Sequence, residues 1–114
     1  MTQPAPALDL AYALARHGSE DVLRLLAPLA LKTMTRTRAV LQSADATPLE
    51  RADALHKMRG NALEVGLMPL AESTRPLELA LRGQTAAPLD TLSAHCLACM
   101  TDAEAALQPW LRPH

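Results

Sequence analysis

Apolar residues along this chain recur mostly at steps of three and four, the spacing that gathers them on one side of an α-helix. No stretch alternates as a half-buried strand does. A short amphipathic segment over residues 8–17 stops at Gly18, and Ser19 then stands where an N-cap belongs. The pattern predicts a long second helix from there to about residue 43, bent at Pro28. Thr47, Pro48 and Glu50 occupy the N-cap, first-turn and capping-box positions of a third helix, which should end near Gly66. A fourth helix, 69–83, carries Leu67, Leu70, Thr74, Leu77 and Leu81 along one side, with Pro76 as a kink and Gly83 as its stop. The last, 87–108, presents Leu89, Leu92, Cys96, Cys99, Ala103, Ala106 and Trp110 as an apolar seam. Residues 1–7 read as a disordered tail or linker stump, and 8–114 as one domain. With short connections and no strands, the simplest closed solution is all-α: an antiparallel four-helix bundle with an additional short N-terminal helix.

Composition sharpens this picture. Nearly half the residues are apolar, yet Tyr12 and Trp110 are the only aromatics, so the core must be built from Leu, Ala, Val and Met, which suit helices better than sheets. Eleven Lys and Arg against twelve Asp and Glu lack the basic excess of a phosphate-backbone binder, so nucleic acid is not an expected partner. Charge interrupts every apolar run before membrane-spanning length, and the Pro/Ala-rich start lacks the regions of a signal peptide. A cytoplasmic domain with no membrane insertion is expected.

The chemistry lies in the third helix, in the run Leu55-His56-Lys57-Met58-Arg59-Gly60-Asn61-Ala62. Three of the four glycines fall at predicted helix ends. Gly60 falls mid-helix, where glycine costs about 1 kcal/mol relative to alanine. On a helical wheel Leu55, Met58, Ala62 and Val65 form the buried stripe, whereas His56, Gly60 and Leu63 face the other way. An exposed imidazole next to a position without a side chain marks a place that another macromolecule approaches closely. Neutral imidazole is a nucleophile that can take a phosphoryl group from an aspartyl phosphate and return it to another aspartate. The transfer asks mainly for positioning and charge stabilisation, and Arg59, one turn beyond His56, supplies the cation.

His56, Met58, Arg59, Gly60 and Gly66 stand in the spacing of the histidine-phosphotransfer (HPt) signature H-x-L-K-G-x-x-x-x-x-G, and the chain resembles that family over nearly its whole length. The likeness extends to the short first helix, the Leu-Asp-Leu from Leu8, the Leu77-Glu78 pair and Gly83. Met58 replaces the usual leucine, Arg59 the usual lysine, and Asn61 a common serine. The first is a volume-conserving swap and the second keeps the charge on a wider, planar donor set. The resemblance implies phosphorylation of His56 on its outer ring nitrogen, phosphoryl stabilisation by Arg59, and docking of a receiver domain around Gly60, Leu63, Lys57 and Leu49. It implies response-regulator receivers and a sensor or hybrid histidine kinase as partners, in a phosphorelay. No cofactor of its own is expected; Mg²⁺ would sit in the partner receiver. No Walker-type loop suggests ATP-dependent kinase activity.

Two other classes stay open. An HPt-like interaction module could bind a receiver or another enzyme without phosphotransfer, and Gly60 could serve close helix packing instead of docking. A bundle enzyme with a di-iron core would need Glu-x-x-His pairs, which the sequence lacks. Cys96 and Cys99 form a Cys-x-x-Cys, but on an apolar seam without a second pair they read as buried free thiols, not as a metal or redox site. His17, His95 and His114 have no context comparable to that of His56.

Overall fold

Caps and glycines decide where the helices begin and end. The computed structural model describes residues 5–111, and their regular structure is helical: α1 (Leu10–His17), α2 (Glu20–Gln42), α3 (Pro48–Val65), α4 (Met68–Leu81) and α5 (Leu89–Leu107), followed by a 3₁₀ turn over Gln108–Trp110. Asp9 accepts from the Tyr12 amide at 3.0 Å and starts α1 two residues later than the sequence pattern predicts. Ser19 accepts from the Val22 amide at 3.3 Å to start α2. At α3 the capping box closes in both directions: the Glu50 amide donates to Thr47 Oγ1 at 3.1 Å and the Thr47 amide to Glu50 Oε1 at 3.0 Å. The Thr47 amide, and secondly the Thr47 hydroxyl, hold the Glu50 carboxyl below the usual carboxylate range. α2 continues through Pro28 and α4 through Pro76, both on exposed positions. Of the residues assigned to the tail, 5–7 precede the first helix and 1–4 lie outside the described residues.

The core takes one stripe from each helix. Leu23, Ala27, Ala30 and Met34 of α2 meet Leu55, Met58, Ala62 and Val65 of α3, Leu70, Ala71 and Leu77 of α4, and Ala13 of α1. In α5 the buried residues are Cys96, Met100, Ala103 and Leu107. This corrects the predicted seam. Cys99 and Ala106 are only half-buried, Leu89 is 44% exposed, and Trp110 leaves the helix for the 3₁₀ turn, its ring 4.9 Å from the Arg24 guanidinium. Both patterns step by three and four and differ by a small rotation, and packing chose the one that buries Met100 and Leu107 in full.

α3 packs against α2 on one side and α4 on the other, α5 packs against α4 and α2, and α1 lies on α2. Polar ties reinforce the contacts: Arg38 of α2 pairs with Glu104 of α5. The buried hydroxyls of Thr37, Ser73 and Thr74 donate to carbonyl oxygens within their own helices at 2.7–2.9 Å, so none is left unsatisfied in the core. No helix among the described residues is long and apolar enough to cross a membrane.

Candidate functional site

The rotation of α3 is fixed by what it buries. Ala52, Leu55, Met58, Ala62 and Val65 are each at most 2% exposed, which turns His56, Lys57 and Gly60 outward. The His56 side chain is 66% exposed. Its ring has one charged neighbour within 4 Å, the Glu78 carboxylate on α4, whose Oε1 lies 3.5 Å from Nδ1. No partner for Nε2 occurs among the described residues.

Glu78 does not reach the ring as a loose surface chain. Arg82, one turn later at the C-cap of α4, donates from Nε to Glu78 Oε2 at 3.0 Å and from Nη2 to Asp53 Oδ1, one turn before His56 on α3, also at 3.0 Å. These two carboxylates push the Arg82 guanidinium further above its ordinary range, Glu78 more than Asp53. A four-residue chain, Asp53–Arg82–Glu78–His56, therefore crosses from α3 to α4 and back. Sequence reasoning quoted Glu78 as part of a Leu-Glu pair but gave it no role, and missed Asp53 and Arg82. The only signal available was the Glu-x-x-x-Arg spacing on α4; the link to α3 is tertiary.

The remaining candidates divide around His56. Lys57 and Asn61 line a groove toward α2, with Thr33, Arg36, Glu50 and Asp53. Arg59 and Leu63 line a more apolar groove toward α4, with Met68, Ala71, Pro76 and Leu79. Arg59 is half-buried and has no ion pair among the described residues. Leu49 is 59% exposed at the N-terminal end of α3. Leu63 departs from expectation: the wheel left it little core to join, but it is half-buried and packs against the core, lining the groove toward α4. The wheel places a residue on one helix and cannot see how far the neighbouring helix rises beside it. Leu63→Ala should accordingly destabilise the free domain by about 1–2 kcal/mol, lowering the thermal midpoint by several degrees. An unchanged melting curve with weakened partner binding would return Leu63 to a purely docking role.

The two signature glycines answer different needs. A Cβ at Gly60 would meet nothing within 4 Å, and the backbone there is ordinary helix, so no packing among the described residues requires glycine. At Gly66, φ is +85°, and a Cβ would lie 2.9 Å from the Asp9 carbonyl oxygen and 3.2 Å from the Tyr12 ring. Gly66 both stops α3 and seats α1.

Elsewhere, candidate chemistry is sparse. Cys96 is fully buried, and burial pushes its thiol up; Cys99 is half-buried with Sγ 3.8 Å from His95 Nε2. His17 Nε2 lies 2.6 Å from the Glu64 carbonyl oxygen, a structural contact between α1 and α3, and His114 lies outside the described residues. No group of three or more His, Cys, Asp or Glu able to hold a metal occurs among the described residues. In comparisons with known proteins, no family model matches the chain, and no curated protein or solved structure matches it either.

Proposed function

We propose that this chain is a phosphocarrier of the HPt type, an antiparallel four-helix bundle with a short N-terminal helix that relays a phosphoryl group through His56 in the cytoplasm. The observation that carries the reading is the pairing of an exposed imidazole, its Nδ1 3.5 Å from Glu78, with a glycine one turn away that no packing among the described residues explains. The circuit of packed helices α2–α3–α4–α5 supports the bundle.

In the reaction, the Nε2 lone pair forms the N–P bond to phosphorus while the P–O bond to the donor aspartate breaks and its carboxylate leaves with the electron pair. The Nδ1 proton stays in place. The ring thereby becomes cationic, and the Glu78 carboxylate beside it stabilises that charge. Arg59 neutralises phosphoryl oxygens from the same helix, and the bare surface at Gly60 lets the receiver backbone approach. Mg²⁺ belongs to the receiver. Sensor or hybrid kinases and response-regulator receivers are the partners on this reading.

The test is transfer from a panel of phosphorylated receivers to the purified chain: acid-labile label mapped to His56 supports the carrier, and tight binding without label supports an interaction module. Within that assay, Arg59→Ala should slow transfer about tenfold or more while changing receiver affinity far less, because its charge acts on the transition state. Equal losses in both would make Arg59 a docking residue.

A further inference from the structure

The outward face of α2 carries a pattern that the core does not use. The buried residues of this helix, Leu23, Ala27, Ala30, Met34 and Thr37, point to one side. Opposite them on a helical wheel stand Asp21, Leu25, Pro28, Leu29, Lys32 and Arg36, all exposed. Leu25 is 73% exposed and Leu29, one turn on, 58%. One exposed leucine is ordinary, but two with a proline between them make an apolar patch. The charges that flank it are sorted by sign. Asp21 stands at the N-terminal end and Lys32 and Arg36 at the C-terminal end, and none of the three has an ion pair among the described residues. Their neighbours on α2 are engaged elsewhere: Glu20 lies 3.9 Å from Arg24, and Arg38 pairs inward with Glu104.

We propose that two copies of this chain meet on this face, α2 against α2 in antiparallel register, about a two-fold axis that passes between Pro28 and Leu29. In that register Asp21 faces Arg36 of the second copy, Leu25 faces its Lys32, and Pro28 faces its Leu29; symmetry repeats each contact. The apolar residues gather at the axis. Each Lys32 lays its aliphatic stem along a leucine and keeps its ammonium in water, and an Asp21–Arg36 pair closes either end. Those two residues are about 22 Å apart along the helix, so both ends engage at once. A parallel pairing fails on charge, because Asp21 would meet Asp21 and Arg36 would meet Arg36, with the helix dipoles also opposed to it. The face complements itself, and that is why the occupant is a second copy. Such a contact is isologous and closes on a dimer, leaving nothing to extend into a filament. The patch is small, so association should be weak, half complete at roughly 0.1 mM. The inference is independent of the phosphocarrier reading, since all these residues lie on α2 and none on the helix that displays His56; Arg36 alone also borders the groove that Lys57 lines.

Sedimentation equilibrium of the full chain, from about 10 µM to about 1 mM, should show the mean mass rising from monomer toward dimer. Over the same range the amide NMR shifts that move should be those of α2 between Asp21 and Arg36. Leu25→Lys sets a second ammonium against Lys32 and should weaken association about tenfold or more. Asp21→Arg and Arg36→Glu should each weaken it roughly three- to tenfold, since symmetry makes each substitution act at both ends. The deciding result is rescue. Asp21→Arg combined with Arg36→Glu in one chain should associate nearly as well as the wild type, and an equimolar mixture of the two single variants should form a heterodimer tighter than either homodimer. A melt of each dilute variant by circular dichroism checks that it is folded. Should Asp21→Arg not fold, Leu25→Lys and Arg36→Glu decide, and association unchanged in either overturns the proposal. A wild type that stays monomeric throughout overturns it, as does a dimer indifferent to Leu25→Lys. A double variant no tighter than the single ones removes the antiparallel register and the proposal with it. A monomer whose receiver binding falls in Leu25→Lys gives the face to the receiver and overturns the dimer.

Discussion

His56→Gln is expected to abolish acid-labile phosphorylation while moving the thermal midpoint by no more than about 3 °C. The two halves of that expectation come from separate facts. Loss of label follows from chemistry, since an amide has no lone pair able to displace a carboxylate from phosphorus. Retention of stability follows from position: the side chain is 66% exposed, lies off the buried stripe, and its recorded charged contact is the 3.5 Å approach to Glu78. Glutamine also has good helix propensity, so α3 is not weakened at its centre. Mass spectrometry under conditions that preserve phosphoramidates, beside a calorimetric melt, reads both. Label persisting on the variant would transfer the role to another histidine; His17 is engaged with the Glu64 carbonyl and His95 is exposed on α5, so His95 is then the next residue to replace.

The second large effect separates two glycines of one motif. Gly66→Ala should cost on the order of 3 kcal/mol, from a side chain forced to positive φ and a Cβ pressed against backbone. For a domain of this size that is a fall of roughly 10–15 °C in thermal midpoint. Gly60→Ala should do the reverse and gain about 1 kcal/mol, because the residue is helical and the added methyl meets open space. The larger Gly60→Gln should remain folded and yet block transfer from a receiver, since it fills the surface beside the imidazole. A destabilised Gly60→Ala would mean that the open space at that position is occupied in solution, and the docking argument would fall with it.

How much of this was legible in the sequence depended on range. The capping box at Thr47 and the glycine stops at Gly18, Gly66 and Gly83 are local signals, read within four residues, and the helices begin and end within about two residues of where those signals put them. The stripe Leu55, Met58, Ala62 and Val65 was equally clear, because α3 is buried along one narrow face and the wheel needs no knowledge of neighbours. The seam of α5 was less clear: that helix is rich in small and sulfur-bearing residues, several rotations bury similar area, and only packing against α4 and α2 favours Met100 and Leu107 over Cys99 and Ala106. Leu63 was misjudged for the same reason. Asp53, Glu78 and Arg82 were out of reach altogether, since each looks like an ordinary surface charge until α3 and α4 are laid side by side.

The seat of α1 sets where this domain can be cut. Eight residues are too few to hold a helix in water alone, so α1 persists through what it touches. The Asp9 amide donates to the Gly66 carbonyl at 2.8 Å, Tyr12 and Ala13 lie over Gly66, and Arg16 pairs with Glu64 at 2.9 Å. These anchor points fall at the C-terminal end of the helix that displays His56, on Glu64 and the capping Gly66, beside the packing of α1 on α2. A shortened expression version begun at Ser19, which would look tidy from helix lengths alone, strips the cover from Gly66 and removes the partner of Glu64. Fusions and truncations should therefore keep Asp9 and the residues just before it, even though none of them comes near the imidazole.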